Sequence, residues 1–269
     1  MGSVVRFLHL ARASLLTAKR YSIDWYGSVF APILTVVPVM LAIWYGERLG
    51  FSFANVTGTE DFVRYYIIGI TYWGYVESVW SSIFAMREHM RAGRLEELLL
   101  TPMKAWEYIL GWSSLALALT TVSSLPLVTV AIAAGVVNAG LSGLLLSLLV
   151  FLLSMVASFG LAFALFGATL VIREGDELVS LLGNAAPLLG GLYFPIHLLP
   201  SPLKAAALAF PFTWGVDLIR GLLVGSKTML ALKTELLLLS ALSLLYILLG
   251  VLTYGLLERR MRRKGIQGF

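Results

Sequence analysis

The residues best suited to chemistry are concentrated in one stretch, Arg87 to Lys104, where seven of eighteen side chains are charged in a chain that is only 13% Asp, Glu, Lys and Arg. On a helix from Glu88 to Leu100, Arg91, Leu95 and Leu98 share one largely apolar face while Arg94 and Glu97 point away. That shape fits the groove of a partner protein. Three acidic groups disfavour the bland alternative, a helix lying on anionic lipid, which rewards a purely basic face. Thr101-Pro102 then ends the segment, because proline suits the first turn of the next helix. The chemistry expected here is docking, not catalysis.

A second candidate is Glu77, which lies inside an apolar run among Tyr72, Trp73, Tyr75 and Trp80. An ionisable group at such depth is functional by default; the alternatives are a carboxyl bonded to a neighbouring helix or one reaching the cytoplasmic interface. Other chemistry is excluded by what the chain lacks. Gly225-Ser-Lys-Thr228 has no glycine spacing for a phosphate loop, and neither a His-Glu-x-x-His cluster nor a Gly-x-Ser-x-Gly elbow occurs. The absence of cysteine removes thiol catalysis, disulfides and thiolate metal sites. His9 reads as part of a surface and His197 as a loop histidine, since no second histidine lies near it.

The elements that carry these residues follow from composition. A hydrophobic content of 59% and a mean hydropathy of +0.87 place the chain among polytopic membrane proteins. Continuous apolar runs, not alternating ones, select helices over a closed barrel. The pI near 9.5 reflects basic flanks of apolar spans, so no nucleic-acid partner is expected. The expected fold is therefore all-α and polytopic, with six transmembrane helices.

In chain order, residues 1–22 form an amphipathic interfacial segment with Arg6, Arg12, Lys19 and Arg20 toward lipid head groups. The first twenty residues lack a compact apolar centre with a cleavage site, so the N-terminus is expected to remain. The six-span domain occupies 23–258. Span one, Ile23 to Tyr45, contains Pro32 and Pro38; span two covers Phe62 to Met86. Span three, Trp106 to Val137, carries Thr120, Thr121, Ser123 and Ser124 beside Pro126, where hydroxyls can bond back to freed carbonyls. Span four, Leu144 to Ile172, has Gly160 and Gly167 suited to close helix contact, and a second charged island, Arg173, Glu174, Asp176 and Glu177, closes it.

Span five, Leu178 to Phe194, is short and interrupted. It is followed by Pro195, Pro200, Pro202 and Pro211, which fence apolar pieces too short to cross and so predict re-entrant helices over 195–221. Asp217 and Arg220, three residues apart, are expected to pair on the exposed side of a helix. Span six, Leu230 to Leu257, ends in the basic tail 259–269. Four Lys or Arg lie in 1–22, four in 87–104, one at Arg173 and five in 259–264. Only Arg48, Arg64, Lys204, Arg220, Lys227 and Lys233 fall elsewhere. That bias puts both termini and both islands in the cytoplasm.

Gly93-Arg94-Leu95-Glu96-x-Leu98-x-x-Thr101-Pro102, directly after the second span, resembles the cytoplasmic segment of the membrane subunits of type-2 ATP-binding cassette exporters. Pro195, Leu199-Pro200, Pro211 and Asp217-x-x-Arg220-Gly221 resemble that family's proline-rich outer region, and the likeness covers essentially the whole chain. Arg94 stands where threonine is usual. The resemblance implies a cell-membrane permease that pairs with a second copy of itself or a related permease, and with a separate ATPase subunit. ATP and Mg would bind on that ATPase, and this chain would hold no cofactor. Glu88, Gly93, Arg94, Leu95, Glu96, Leu98, Thr101 and Pro102 would form a coupling helix over 87–104; Arg173, Glu174, Asp176 and Glu177 would make a secondary contact; Pro195, Pro200, Pro211, Asp217 and Arg220 would build the outer gate. A hydrophobic drug, a lipid or a lipid-linked glycan is the expected cargo. The rivals are a proton-coupled carrier using Glu77 and a non-transporting membrane scaffold.

Overall fold

Thirty residues from Phe62 to Arg91 form one unbroken helix, α1, and the way its residues are buried organises everything else. Tyr65, Tyr66, Tyr72, Trp73, Val76, Val79 and Trp80 recur at spacings of three, four and seven, so they occupy one broad face, and all are buried. A helix of this length spans about 45 Å, more than the roughly 30 Å of a hydrocarbon core. Its last residues, Arg87 to Arg91, belong to the first charged island.

The computed structural model of the chain describes residues 62–91, 105–133, 135, 139–169 and 175–264, with a few helical positions between Leu34 and Arg48 and a turn at Leu49 and Gly50. Over 82–91, 105–109, 166–169, 175–179 and 257–264 only the backbone course is described. After α1 come α2 (Ala105–Ala133), α3 (Leu141–Thr169), α4 (Gly175–Leu189), a 3-10 turn (Ile196–Leu198), α5 (Ser201–Ala209), α6 (Pro211–Leu223) and α7 (Leu232–Lys264). All described regular structure is helical, as expected for backbone that must satisfy itself in lipid.

By length and composition, the windows Leu141–Leu165 in α3 and Leu232–Thr253 in α7 can cross a membrane, and the α5 and α6 pair counts as a third crossing if taken as one broken span. The elements expected as spans two and three are present as the long helices α1 and α2. Span one falls mostly outside the described residues; past its expected end at Tyr45, Gly46 and Arg48 are helical positions, and the Arg48 guanidinium lies 3.8 Å over the Trp44 ring. The basic tail is not separate over its first residues, since α7 runs without a break to Lys264.

The most extensive packing is between α3 and α7. It is possible because Gly160 faces Gly250: a Cβ on Gly160 would meet the Tyr246 and Ile247 backbone closer than 3.0 Å, and one on Gly250 would lie 2.9 Å from the Gly160 carbonyl oxygen. Without a side chain at either position the two backbones touch, which is how membrane helices gain dispersion contact when lipid gives no hydrophobic drive. On the other side, α1 packs against α2, and α6 fits between α3 and α1. Phe212 of α6 sits edge-on to Trp73 at 6.0 Å and Trp80 at 6.1 Å, at the centre of the core.

The polar cluster of α2 behaves as its sequence implies. Thr121 donates to Leu117 O at 2.8 Å, Ser124 to Thr121 O at 3.0 Å and Thr129 to Pro126 O at 2.7 Å, bonding the helix to itself around Pro126. Tyr75 of α1 bonds across to Thr121 and Ser124 at 3.3 Å each, which ties the two helices together.

Candidate functional site

The region between α4 and α7 is a chain of forced bends. At the end of α4, Gly190 bonds back to Ala186 O at 2.7 Å, and Gly191 takes a φ of +71°, a left-handed conformation that an L side chain resists. Pro195 then precedes the 3-10 turn and Pro200 precedes α5, while Pro211 is the first residue of α6. Each proline lacks a donor and cannot continue a preceding helix, so α5 and α6 meet at Phe210 with a bend of 89°. The expected short helices over 195–221 are thus present.

Such a bend exposes carbonyls that lipid cannot satisfy. Three side chains repair it. Thr213 donates to Ala207 O at 2.8 Å, Trp214 Nε1 to Leu208 O at 2.9 Å, and Tyr246 of α7 to Ala209 O at 2.7 Å. The last three carbonyls of α5 are therefore each bound by a different residue. Tyr246→Phe removes one of these bonds and is expected to cost about 1 kcal/mol of stability, read as a lowered thermal midpoint in detergent with unchanged helix content by circular dichroism.

Arg220 corrects the expected ion pair. It is not on an exposed side: it is 1% exposed and reaches from α6 into the core. Its Nε donates to Tyr65 O at 3.1 Å, Nη1 to Gly191 O at 2.6 Å and Nη2 to Leu192 O at 2.5 Å. Its guanidinium carbon lies 3.5 Å above the Tyr65 ring, where the ring face attracts the cation. Gly69 leaves the room, since a Cβ there would collide with Leu192 O and with the Arg220 guanidinium. One side chain thereby joins α1, the bend after α4, and α6.

Asp217 instead accepts from the Met229 amide at 2.9 Å. Glu235, in the first turn of α7, accepts from the Leu230 amide at 2.7 Å. The two carboxyls pin the loop between α6 and α7, and Glu235 also sits where the helix dipole favours negative charge. The physical reason for the failed pairing is local supply: α6 ends beside the carbonyls of Tyr65, Gly191 and Leu192, which suit a planar fork of donors, and beside loop amides, which suit a carboxylate.

Glu77 lies at the edge of the buried face of α1, in line with Ile70, Gly74 and Ser81. It is exposed and has no hydrogen-bond partner among the described residues. No helix among the described residues bonds it. An ionised carboxylate turned to lipid at mid-helix would cost about 2.5–3.5 kcal/mol.

The other predicted residues are placed as follows. Glu88 is on the last turns of α1, where only the backbone is described. Gly93, Arg94, Leu95, Glu96, Leu98, Thr101 and Pro102 lie outside the described residues, as do Arg173 and Glu174. Asp176 and Glu177 begin α4. Pro195 and Pro211 are buried, and Pro200 is exposed. Sequence reasoning missed Tyr65, Gly69, Thr213, Trp214, Glu235 and Tyr246. Only Gly69 carried a signal, as a lone small residue inside the aromatic face of α1.

Long apolar helices, a sharply bent helix pair and a helix leading into a charged island are the described features, and no metal-binding cluster occurs among the described residues. No curated protein matches the chain. The ABC-2 type transporter family matches residues 6–224. The chain thus belongs to the ABC-2 type transporter family, as a membrane subunit of an ATP-driven transporter.

Proposed function

We propose that this permease works as a dimer of six-span subunits with both termini in the cytoplasm, driven by an ATP-binding cassette ATPase that docks on residues 87–104. The observation that carries the reading is the course of α1. One continuous helix ends at Arg91 in the charged island, while near its start Tyr65 is held by Arg220 to the bend after α4 and to α6. A rigid helix moves as a unit, so displacement of the docking segment would reach the re-entrant pair without an intervening joint.

In this scheme ATP and Mg bind on the partner, and Glu88, Gly93, Arg94, Leu95, Glu96, Leu98, Thr101 and Pro102 form the coupling segment. Arg173, Glu174, Asp176 and Glu177 make a smaller contact on the same side. Pro195, Pro200, Pro211, Asp217 and Arg220 shape the outer gate. Exposed leucines along α3 and α7, such as Leu148, Leu152, Leu244 and Leu248, are apolar enough to meet lipid tails.

The test is retention of the ATPase. A tagged permease is purified from its own membranes in mild detergent, and vanadate-sensitive Mg-ATP hydrolysis is measured in the eluate. Leu98→Asp puts a charge on the apolar docking face and is expected to weaken retention by at least about tenfold, since an unpaired buried charge costs several kcal/mol. Full hydrolysis in the Leu98→Asp eluate, with unchanged ATP-dependent transport, would remove residues 87–104 from the docking site.

A further inference from the structure

Two acids meet at the loop that joins α6 to α7. Asp217 and Gly221, four residues apart, share a face of α6, and the loop folds back on that face: Thr228 lies so close to Gly221 that an added Cβ would collide with its methyl group. Gly225 takes a φ of +73° at the reversal. In the bend that follows, the Met229 amide donates to Asp217 Oδ2 at 2.9 Å and the very next amide, that of Leu230, donates to Glu235 Oε1 at 2.7 Å. Adjacent amide nitrogens are less than about 4 Å apart along a chain, so the two carboxyls end on neighbouring donors.

One oxygen in this arrangement is left over. Glu235 is 0% exposed, and its Oε2 has no hydrogen-bond partner among the described residues. A buried carboxylate oxygen without a donor is costly. The surrounding charges do not supply one. Arg220, one turn along α6 from Asp217, commits all three guanidinium nitrogens to the carbonyls of Tyr65, Gly191 and Leu192 and covers the Tyr65 ring of α1. Lys227 in the loop, Lys233 at the start of α7 and His197 in the 3-10 turn are exposed, and Lys204 of α5 is half-buried. Tyr246 of α7 is bound to Ala209 O, and α3 has no ionisable side chain from Leu141 to Thr169. Two carboxylates beside one buried guanidinium leave one negative charge uncompensated, which a single proton removes. A calcium ion would overcompensate it and demands about six to eight oxygen ligands.

We propose that Asp217 and Glu235 hold one proton between them, and that this proton is the clasp fastening the start of α7 to α6. With it in place, Glu235 Oε2–H donates to the Asp217 carboxyl while each acid still accepts its loop amide. When the proton passes to solvent water, two negative charges sit on neighbouring amides, repel each other, and loosen the loop from α6. No residue of 87–104 takes part, so the clasp stands or falls independently of where the ATPase docks.

Infrared spectroscopy of the full-length permease at neutral pH, in light and heavy water, reads the proton directly. A protonated-carboxyl band is expected in the wild type. Glu235→Gln and Asp217→Asn should each remove the same band, because the proton belongs to the pair, so either variant alone decides. Thermal unfolding supplies a second readout. Ordinary carboxyls ionise near pH 4, so above that pH the folded pair binds one proton more than the unfolded chain does. The clasp's contribution is complete below that range and is lost as pH rises through the point where the folded pair ionises, by about tenfold in the folding constant per pH unit. Glu235→Gln keeps a donor toward Asp217 and an acceptor for the Leu230 amide without a titrating proton, so its midpoint should lack this slope and overtake the wild type at alkaline pH.

No protonated-carboxyl band at neutral pH, or a band untouched by both substitutions, would overturn the proposal. Parallel pH profiles for wild type and Glu235→Gln would do the same. A wild-type midpoint raised by sodium or calcium over choline at equal ionic strength, with no such rise in Glu235→Gln, would assign the site to a metal cation instead of a proton.

Discussion

Arg220→Ala is expected to lower the stability of the permease by about 3–5 kcal/mol, the largest single effect foreseen for any substitution here. The removed guanidinium holds the carbonyls of Tyr65, Gly191 and Leu192 and covers the Tyr65 ring. Truncation takes the donor from the Gly191 and Leu192 carbonyls in a site that is 1% exposed, and each unsatisfied group costs about 1–3 kcal/mol unless the bend rearranges or water enters. It also opens a cavity beside Gly69.

Arg220→Lys separates charge from geometry. Lysine keeps a positive charge but offers one compact ammonium, which cannot span three carbonyls on two different segments as a planar fork does. It should recover only part of the loss. Thermal unfolding followed by tryptophan fluorescence is a suitable readout, since Trp73, Trp80 and Trp214 all report on this core. A midpoint equal to wild type in Arg220→Ala would show that the three hydrogen bonds contribute nothing net.

Gly160→Ala should be the most damaging single methyl added to the crossing of α3 and α7. The new Cβ would meet the backbone of Tyr246 and Ile247, not the flexible end of a side chain, so α3 and α7 must separate. Overpacking of this kind costs about 1–3 kcal/mol. The effect should exceed that of Gly250→Ala, whose Cβ meets Gly160 O at 2.9 Å and the Phe163 Cβ at 3.2 Å. Because Tyr246 on α7 also binds Ala209 O, the displacement should reach the α5 end as well. Stability in detergent and ATP-driven transport should fall together; equal midpoints for wild type and Gly160→Ala would sink the account of this crossing.

These substitutions bear on different cooperating layers. Gly160 and Gly250 hold the scaffold of α3 and α7, Arg220 joins that scaffold's neighbour α6 to α1, and Leu98 is proposed to join α1 to the ATPase. Double variants should reveal the order. Arg220→Ala and Gly160→Ala act on helices that share α6 as a neighbour, so their effects are expected to deviate from additivity.

Sequence alone determined the class of the molecule. Apolar run length fixes which segments are helical in lipid, because backbone groups there have no other partner, and α1, α2, α3 and α7 fall where the runs lie. Prolines 195, 200 and 211 stand at the starts of the short helices, as their clustering implies, whereas Pro126 and Pro187 lie inside α2 and α4. The glycine at position 160 announced a close contact without naming its partner.

Only the tertiary structure decided what the polar residues do. Asp217 and Arg220 have the spacing of a surface ion pair, and that spacing cannot say that α6 is buried on most sides by α1, α3 and α7. Burial turns the arginine toward carbonyls 28, 29 and 155 residues away in sequence, and the aspartate toward an amide 12 residues away. Likewise Thr213, Trp214 and Tyr246 look like ordinary core residues until the bend at Phe210 creates three carbonyls in need of donors. Glu77 is the converse case. Its position in the chain marks it as buried in the membrane, whereas the packing of α1 leaves it exposed and unbonded among the described residues.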